Sequence, residues 1–184
     1  HEGEHAHEHD HGGTDPHFWL DPTRLAKAAD AFAAAMAEED PANASSYEAN
    51  AAALHEQLDT LDAEFRSGLK TCRTRAIVVS HDAFGYLGSR YDLHVVPIAG
   101  LSPDAEPSTK TLAEIRSEAE EEGVTTVFAE RLASPALADT LADELGVKIG
   151  VLDPLEGLTK DAKGDYLSIM RENLQTLRTA NACS

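Results

Sequence analysis

At 184 residues the chain has room for one domain with a substantial core and an appendage, and not for two large domains. Thirty-three acidic against fifteen basic side chains give a formal charge of −18, spread over nearly the whole length. That field repels phosphate backbones and anionic lipid and attracts cations, which argues against nucleic acid or a bare membrane surface as partner, and no apolar run approaches the roughly 20 residues of a membrane-spanning helix.

The first thirteen residues contain only His, Glu, Gly, Asp and one Ala, and carry His1, His5, His7, His9 and His11. Such a composition buries too little apolar surface to offset its ordering entropy, so 1–13 is expected to be a mobile, His-rich loop. The chain starts on His rather than Met and shows no charged segment followed by an apolar one, which predicts a mature or trimmed product with its secretion signal upstream.

Asp21-Pro22 is an N-cap followed by proline at the first helical position, and Leu25, Ala29, Phe32 and Met36 recur at helical spacing, predicting a helix that ends near Glu39. Asp40-Pro41 repeats the start signal. The stripe Tyr47, Ala51, Leu54, Leu58, Leu61, Phe65 and Leu69 then predicts one helix over 41–69, roughly 43 Å long at 1.5 Å per residue. It is long enough to connect two lobes.

From residue 70 the pattern changes to short β-branched runs, Ala76–Val79, Leu93–Val96, Val124–Phe128 and Val147–Leu152, alternating with helices expected near 83–90, 108–122, 135–145 and 165–181. Runs apolar on both faces and separated by helices predict an α/β fold, a four-stranded parallel sheet covered by flanking helices. Gly123 and Gly146 stand where left-handed helix C-caps belong.

Of the two cysteines, Cys72 lies just before the first predicted strand and Cys183 is the penultimate residue, at the C-terminus. A disulfide between them would tie the last helix to the sheet, close a loop worth roughly 4 to 5 kcal/mol in chain-entropy models, and imply an oxidising compartment. Two unrelated reduced thiols are the alternative.

Ligands of an open parallel sheet gather beyond the carboxyl ends of its strands. There stand Ser80-His81-Asp82, Ala99-Gly100, Glu130 and Asp153, so one imidazole and two carboxylates meet on one edge. That donor set suits zinc, manganese or iron(II), and the lack of nearby thiolates argues against a cysteine-type structural zinc site. Ser80, His81 and Asp82 also form a nucleophile, a base and an acid in a row. Adjacent residues point apart, however, and the flanking glycines of a nucleophile elbow are missing.

In DPHFWLDP, residues 15–22, two aromatics and two prolines surround one histidine, so Phe18 or Trp19 can anchor the loop and fix His17 as a metal ligand. Otherwise His17 simply faces water at a helix entry. His55 falls on a flanking face of the long helix, and His94, inside a strand, is expected to be packed or hydrogen-bonded.

DPHFWLDP, the long helix, VVSHDAFGYL, SPDAEPS, VFAE and LDPLEGL together resemble the metal-binding solute receptors of ABC importers, the cluster A-I family, and within it the ZnuA-like zinc branch. The resemblance runs over essentially the whole chain. It implies two lobes joined by a rigid helix with one metal between them: 14–40 as the end of the first lobe, 41–69 as the linking helix and 70–184 as the C-terminal α/β metal-binding lobe.

It also implies His17 and His81 as ligands, with Asp153 as the acidic third; Glu130 and the tail histidines His5, His7, His9 and His11 are possible accessory ligands. The family's first histidine ligand has no counterpart here, so weaker binding than by an intact receptor is expected.

The implied function is extracytoplasmic capture of zinc, or less readily manganese, for delivery to an importer permease, without catalysis. Implied partners are that permease, the rest of the first lobe and a zinc chaperone, with no membrane insertion. Rival functions are a zinc-dependent hydrolase with Glu130 as general base, and an adhesin or zinc-buffering protein without a transport role.

Overall fold

A computed structural model describes residues 14–102, 107–157 and 164–184. The His-rich stretch, with His5, His7, His9 and His11, lies outside the described residues.

Asp21 caps α1 (Pro22–Glu39) by accepting from the Thr23 backbone N–H at 2.9 Å, with Pro22 at the position where no donor is needed. A short 3-10 turn at Pro41–Asn43 leads into α2 (Ala44–Gly68), a helix shorter than predicted because the Asp40-Pro41 start signal opens that turn first. α1 and α2 fold into a hairpin.

The C-terminal half of α2 buries Leu58, Leu61 and Phe65, while Tyr47 and Leu54 nearer its start are only half-buried. On α1 the buried residues are Pro22, Ala26 and Ala33, and Phe32 is 69% exposed. In an alanine-rich helix the apolar pattern does not distinguish adjacent stripes, and the face carrying the small residues is the one enclosed.

The rest is a doubly covered sheet: β1 (Ala76–His81), α3 (Gly85–Tyr91), β2 (His94–Ala99), α4 (Thr109–Glu121), β3 (Thr126–Ala129), α5 (Ala136–Leu145), β4 (Lys148–Val151) and α6 (Tyr166–Ala180). All pairings are parallel, in the order β2-β1-β3-β4. Gly123 and Gly146 have φ of 65° and 66°, the left-handed caps that the sequence predicts.

Strand alternation divides the core in two. Ile77, Val79 and Phe128 face one cluster, completed by Leu20, Leu61, Phe65 and Leu87 with Met170 and Leu177 of α6. Ala76, Val78, Val96 and Val127 face the other, under Ile115 of α4 and Leu141 of α5. His94 opens β2 at the sheet edge rather than lying inside a strand, and its Nε2 is 3.3 Å from Glu118 Oε1. Cys72 and Cys183 form a disulfide.

Candidate metal centre

His81 is the last residue of β1 and continues the alternation of Ile77 and Val79, so its ring enters the cluster that holds Leu20 and is fully buried. The β1–β3 register pairs Val79 with Phe128; carried two residues further it sets His81 beside Glu130. Their contact is 2.6 Å, from His81 Nδ1 to Glu130 Oε1, and Glu130 is itself buried. Burial acts most strongly on the His81 imidazolium and opposes it, but Glu130, with Glu156 and Asp82 nearby, outweighs burial and raises the pKa above the ordinary histidine value.

His17 comes from the loop before α1 and is 2% exposed. Asp15 Oδ1 receives the His17 backbone N–H at 2.9 Å and lies 2.7 Å from Nδ1, while Tyr86 donates its hydroxyl to the Asp15 carbonyl. The Trp19 indole N–H donates to the Pro154 carbonyl at 2.8 Å, and the Tyr166 hydroxyl donates to the Trp19 carbonyl at 2.7 Å. The aromatic anchor expected from DPHFWLDP is therefore Trp19, which ties the His17 loop directly to the loop after β4.

That second loop brings one carboxylate to both imidazoles, and it is Glu156. Asp153 Oδ1 accepts the Leu155 N–H at 2.8 Å, Leu155 takes φ of 56°, and the turn brings Glu156 Oε1 to 3.0 Å from His17 Nε2 and 3.7 Å from His81 Nε2. One ligand atom from each of His17, His81 and Glu156 lies within 4.8 Å of the others, and the two imidazoles meet edge-on at 5.4 Å between centroids. Bonds of about 2.0 to 2.1 Å to a tetrahedral zinc put its ligands roughly 3.4 Å apart, so these spacings bracket what such an ion needs.

Asp153 does not join this group. The β3–β4 register pairs Ala129 with Val151, and two residues on it sets Asp153 beside Arg131, whose Nε is 3.0 Å from Asp153 Oδ2. Asn173 fixes the Asp153 backbone from α6, its Oδ1 accepting the Asp153 N–H and its amide donating to the Asp153 carbonyl. The carboxylate expected as third ligand is consumed as a loop anchor, and the one three residues later faces the imidazoles.

Glu130 stands behind His81 rather than in front of it. The Ser80 hydroxyl, on the opposite side of β1 from His81, donates to the Phe128 carbonyl at 3.1 Å. The row Ser80-His81-Asp82 thus places its nucleophile and base on different faces of the sheet. Glu156 and Asp15 are the site residues that sequence reasoning missed, although both lie inside the motifs singled out, DPHFWLDP and LDPLEGL.

The family model described as zinc-uptake complex component A, periplasmic (ZnuA), matches residues 1–180. The high-affinity zinc uptake system protein ZnuA of Bacillus subtilis is 41% identical over 167 residues, 89% of this chain and 52% of that protein. Among solved structures, the laminin-binding protein Lbp of Streptococcus pyogenes superposes with a TM-score of 0.86 at 35% identity, covering 91% of this chain and 65% of Lbp.

The Zn(II)-bound ZnuA-like domain of Streptococcus pneumoniae AdcA gives 0.77 at 40% identity, covering 92% of this chain and 65% of that one. The chain thus spans about half the length of the Bacillus relative. With a family model that matches residues 1–180 and a fold that superposes on solved structures over about nine-tenths of the chain, the chain belongs to the ZnuA family.

Proposed function

We propose that this chain captures zinc between His17, His81 and Glu156 as the metal-binding part of an extracytoplasmic receptor, which passes the ion to an importer permease. One observation carries the proposal: three groups converge within 4.8 Å, and one of them, His81 Nε2, is buried with no hydrogen-bond partner. An unsatisfied buried acceptor facing another imidazole and a carboxylate is costly without a cation and favourable with one.

Two imidazoles and a carboxylate favour zinc over manganese, which prefers oxygen donors. The zinc-related names of the Bacillus and AdcA relatives support the choice of ion, and the description "periplasmic" of the matching family model supports the location.

Residues 14–40, as the end of the first lobe, and the His-rich stretch, as a weaker collector feeding this site or receiving from a zinc chaperone, belong to the same proposal. So does a further wall and ligand supplied by the rest of the receptor. The role is capture and release rather than catalysis, since the Glu130 carboxylate that a hydrolase would use as base is engaged with His81 Nδ1.

The test is a zinc titration against a competing chromophoric chelator, with His17→Ala, His81→Ala and Glu156→Ala. One site of matched stoichiometry is expected, weakened at least about tenfold by each substitution, a loss of about 1.4 kcal/mol or more. Tight one-to-one binding that survives the double substitution of His17 and His81 would place the ion elsewhere.

A further inference from the structure

We propose that Glu130 is a positioning residue of the metal site, locking His81 in the tautomer that carries its proton on Nδ1 and leaves Nε2 bare for the ion. The inference rests on His81 being a zinc ligand.

An ionised carboxylate accepts hydrogen bonds and donates none, so the 2.6 Å contact between His81 Nδ1 and Glu130 Oε1 requires the ring proton on Nδ1. In the neutral ring the other nitrogen then has only a lone pair, and His81 Nε2 is buried without a hydrogen-bond partner. The Nδ1 contact selects this tautomer, and the unpartnered Nε2 is compatible with it.

Sheet register delivers the pair. His81 ends β1, Glu130 follows β3, and the parallel pairing of Val79 with Phe128 places the two side chains together on the inner face. His81 is fully buried and the Glu130 side chain 3% exposed, so no water competes for the Nδ1 proton. Glu130 is therefore neither a ligand nor a base: its free energy goes into holding the ring orientation, and carboxylate support of this kind changes metal affinity about 10- to 100-fold.

The experiment uses the full chain and three readouts. Nitrogen-15 correlation spectra of the histidine rings, recorded metal-free under mildly basic conditions, should show His81 in the Nδ1–H form. In Glu130→Gln the side chain has the same size but can turn its NH2 to the ring, so the Nε2–H form should appear. Zinc affinity should then drop about 10- to 100-fold, and the visible spectrum of the cobalt(II)-loaded protein should shift, with the circular dichroism of the parent retained.

Glu130→Asp restores a carboxylate and should recover part of the affinity, which a packing role alone would not produce. An Nε2–H ring in the parent, or zinc affinity of Glu130→Gln within about twofold of the parent, would overturn the proposal. Equal zinc binding by the parent and His81→Ala would instead overturn the metal assignment, and the parent's Nδ1–H signal would survive that result.

Discussion

At the scale of single residues, the centre shows why two carboxylates three positions apart have different fates. Asp153 lies opposite Arg131 in the strand register and is held there, whereas Glu156 follows a left-handed Leu155 and is turned over the imidazoles. Asp153→Asn should leave zinc affinity within about threefold of the parent and lower stability by about 1 kcal/mol through loss of the ion pair with partly exposed Arg131. Glu156→Gln should do the reverse, losing affinity with the thermal midpoint unchanged. Paired chelator titrations and melting curves read both, and equal affinity losses would return Asp153 to the ligand set. LDPLEGL announced an acid at this edge, but strand register and a turn chose which one.

At the scale of elements, the helical hairpin meets the sheet layer through a polar joint centred on Asp62. Arg90 of α3 donates from Nε and Nη2 to the two oxygens of Asp62 on α2, at 2.9 and 3.0 Å, and Arg66 Nε and the Tyr91 hydroxyl add two more bonds. Burial acts most strongly on the Asp62 carboxyl and opposes its charge, yet Arg90, Arg66 and Tyr91 together hold its pKa below the usual carboxylate range.

A depressed folded-state pKa stabilises fully above the unfolded value near 4, and that contribution disappears as the pH falls through the folded value. Asp62→Ala should therefore cost about 2 to 3 kcal/mol at neutral pH, since it also strands Arg90 and the buried Tyr91 hydroxyl, and less in acid. Urea midpoints measured from neutral pH down to about 3 would show the gap narrowing; a constant gap would mean that packing, not charge, holds the joint. Helix boundaries were legible from Asp21-Pro22 and Gly146, but the exposure of Phe32 was not, because an alanine-rich helix presents several equivalent stripes.

At the scale of the whole molecule, the C-terminal segment is tied to the residues that lead into β1. The Cys72–Cys183 disulfide closes a separation of 111 residues, and the Ser184 N–H donates to the Thr71 carbonyl at 3.0 Å alongside it. Replacing both cysteines by serine should lower stability by about 4 kcal/mol if chain entropy dominates. Denaturant midpoints of the oxidised parent and the double variant decide this, and an unchanged midpoint would show that the backbone bonds at Ser184 suffice.

The sequence by itself determined the α/β class, the four parallel strands, and the two histidines that the fold brings together, His81 at the end of β1 and His17 in the loop before α1, because periodicity and turn chemistry are local properties of the chain. Only the tertiary structure decided that Glu156 rather than Asp153 reaches both imidazoles, that Glu130 stands behind His81, and that Trp19 joins the His17 loop to the Glu156 loop. Each of these depends on which residues of distant strands and loops come side by side, and that pairing is fixed by register and packing across the sheet.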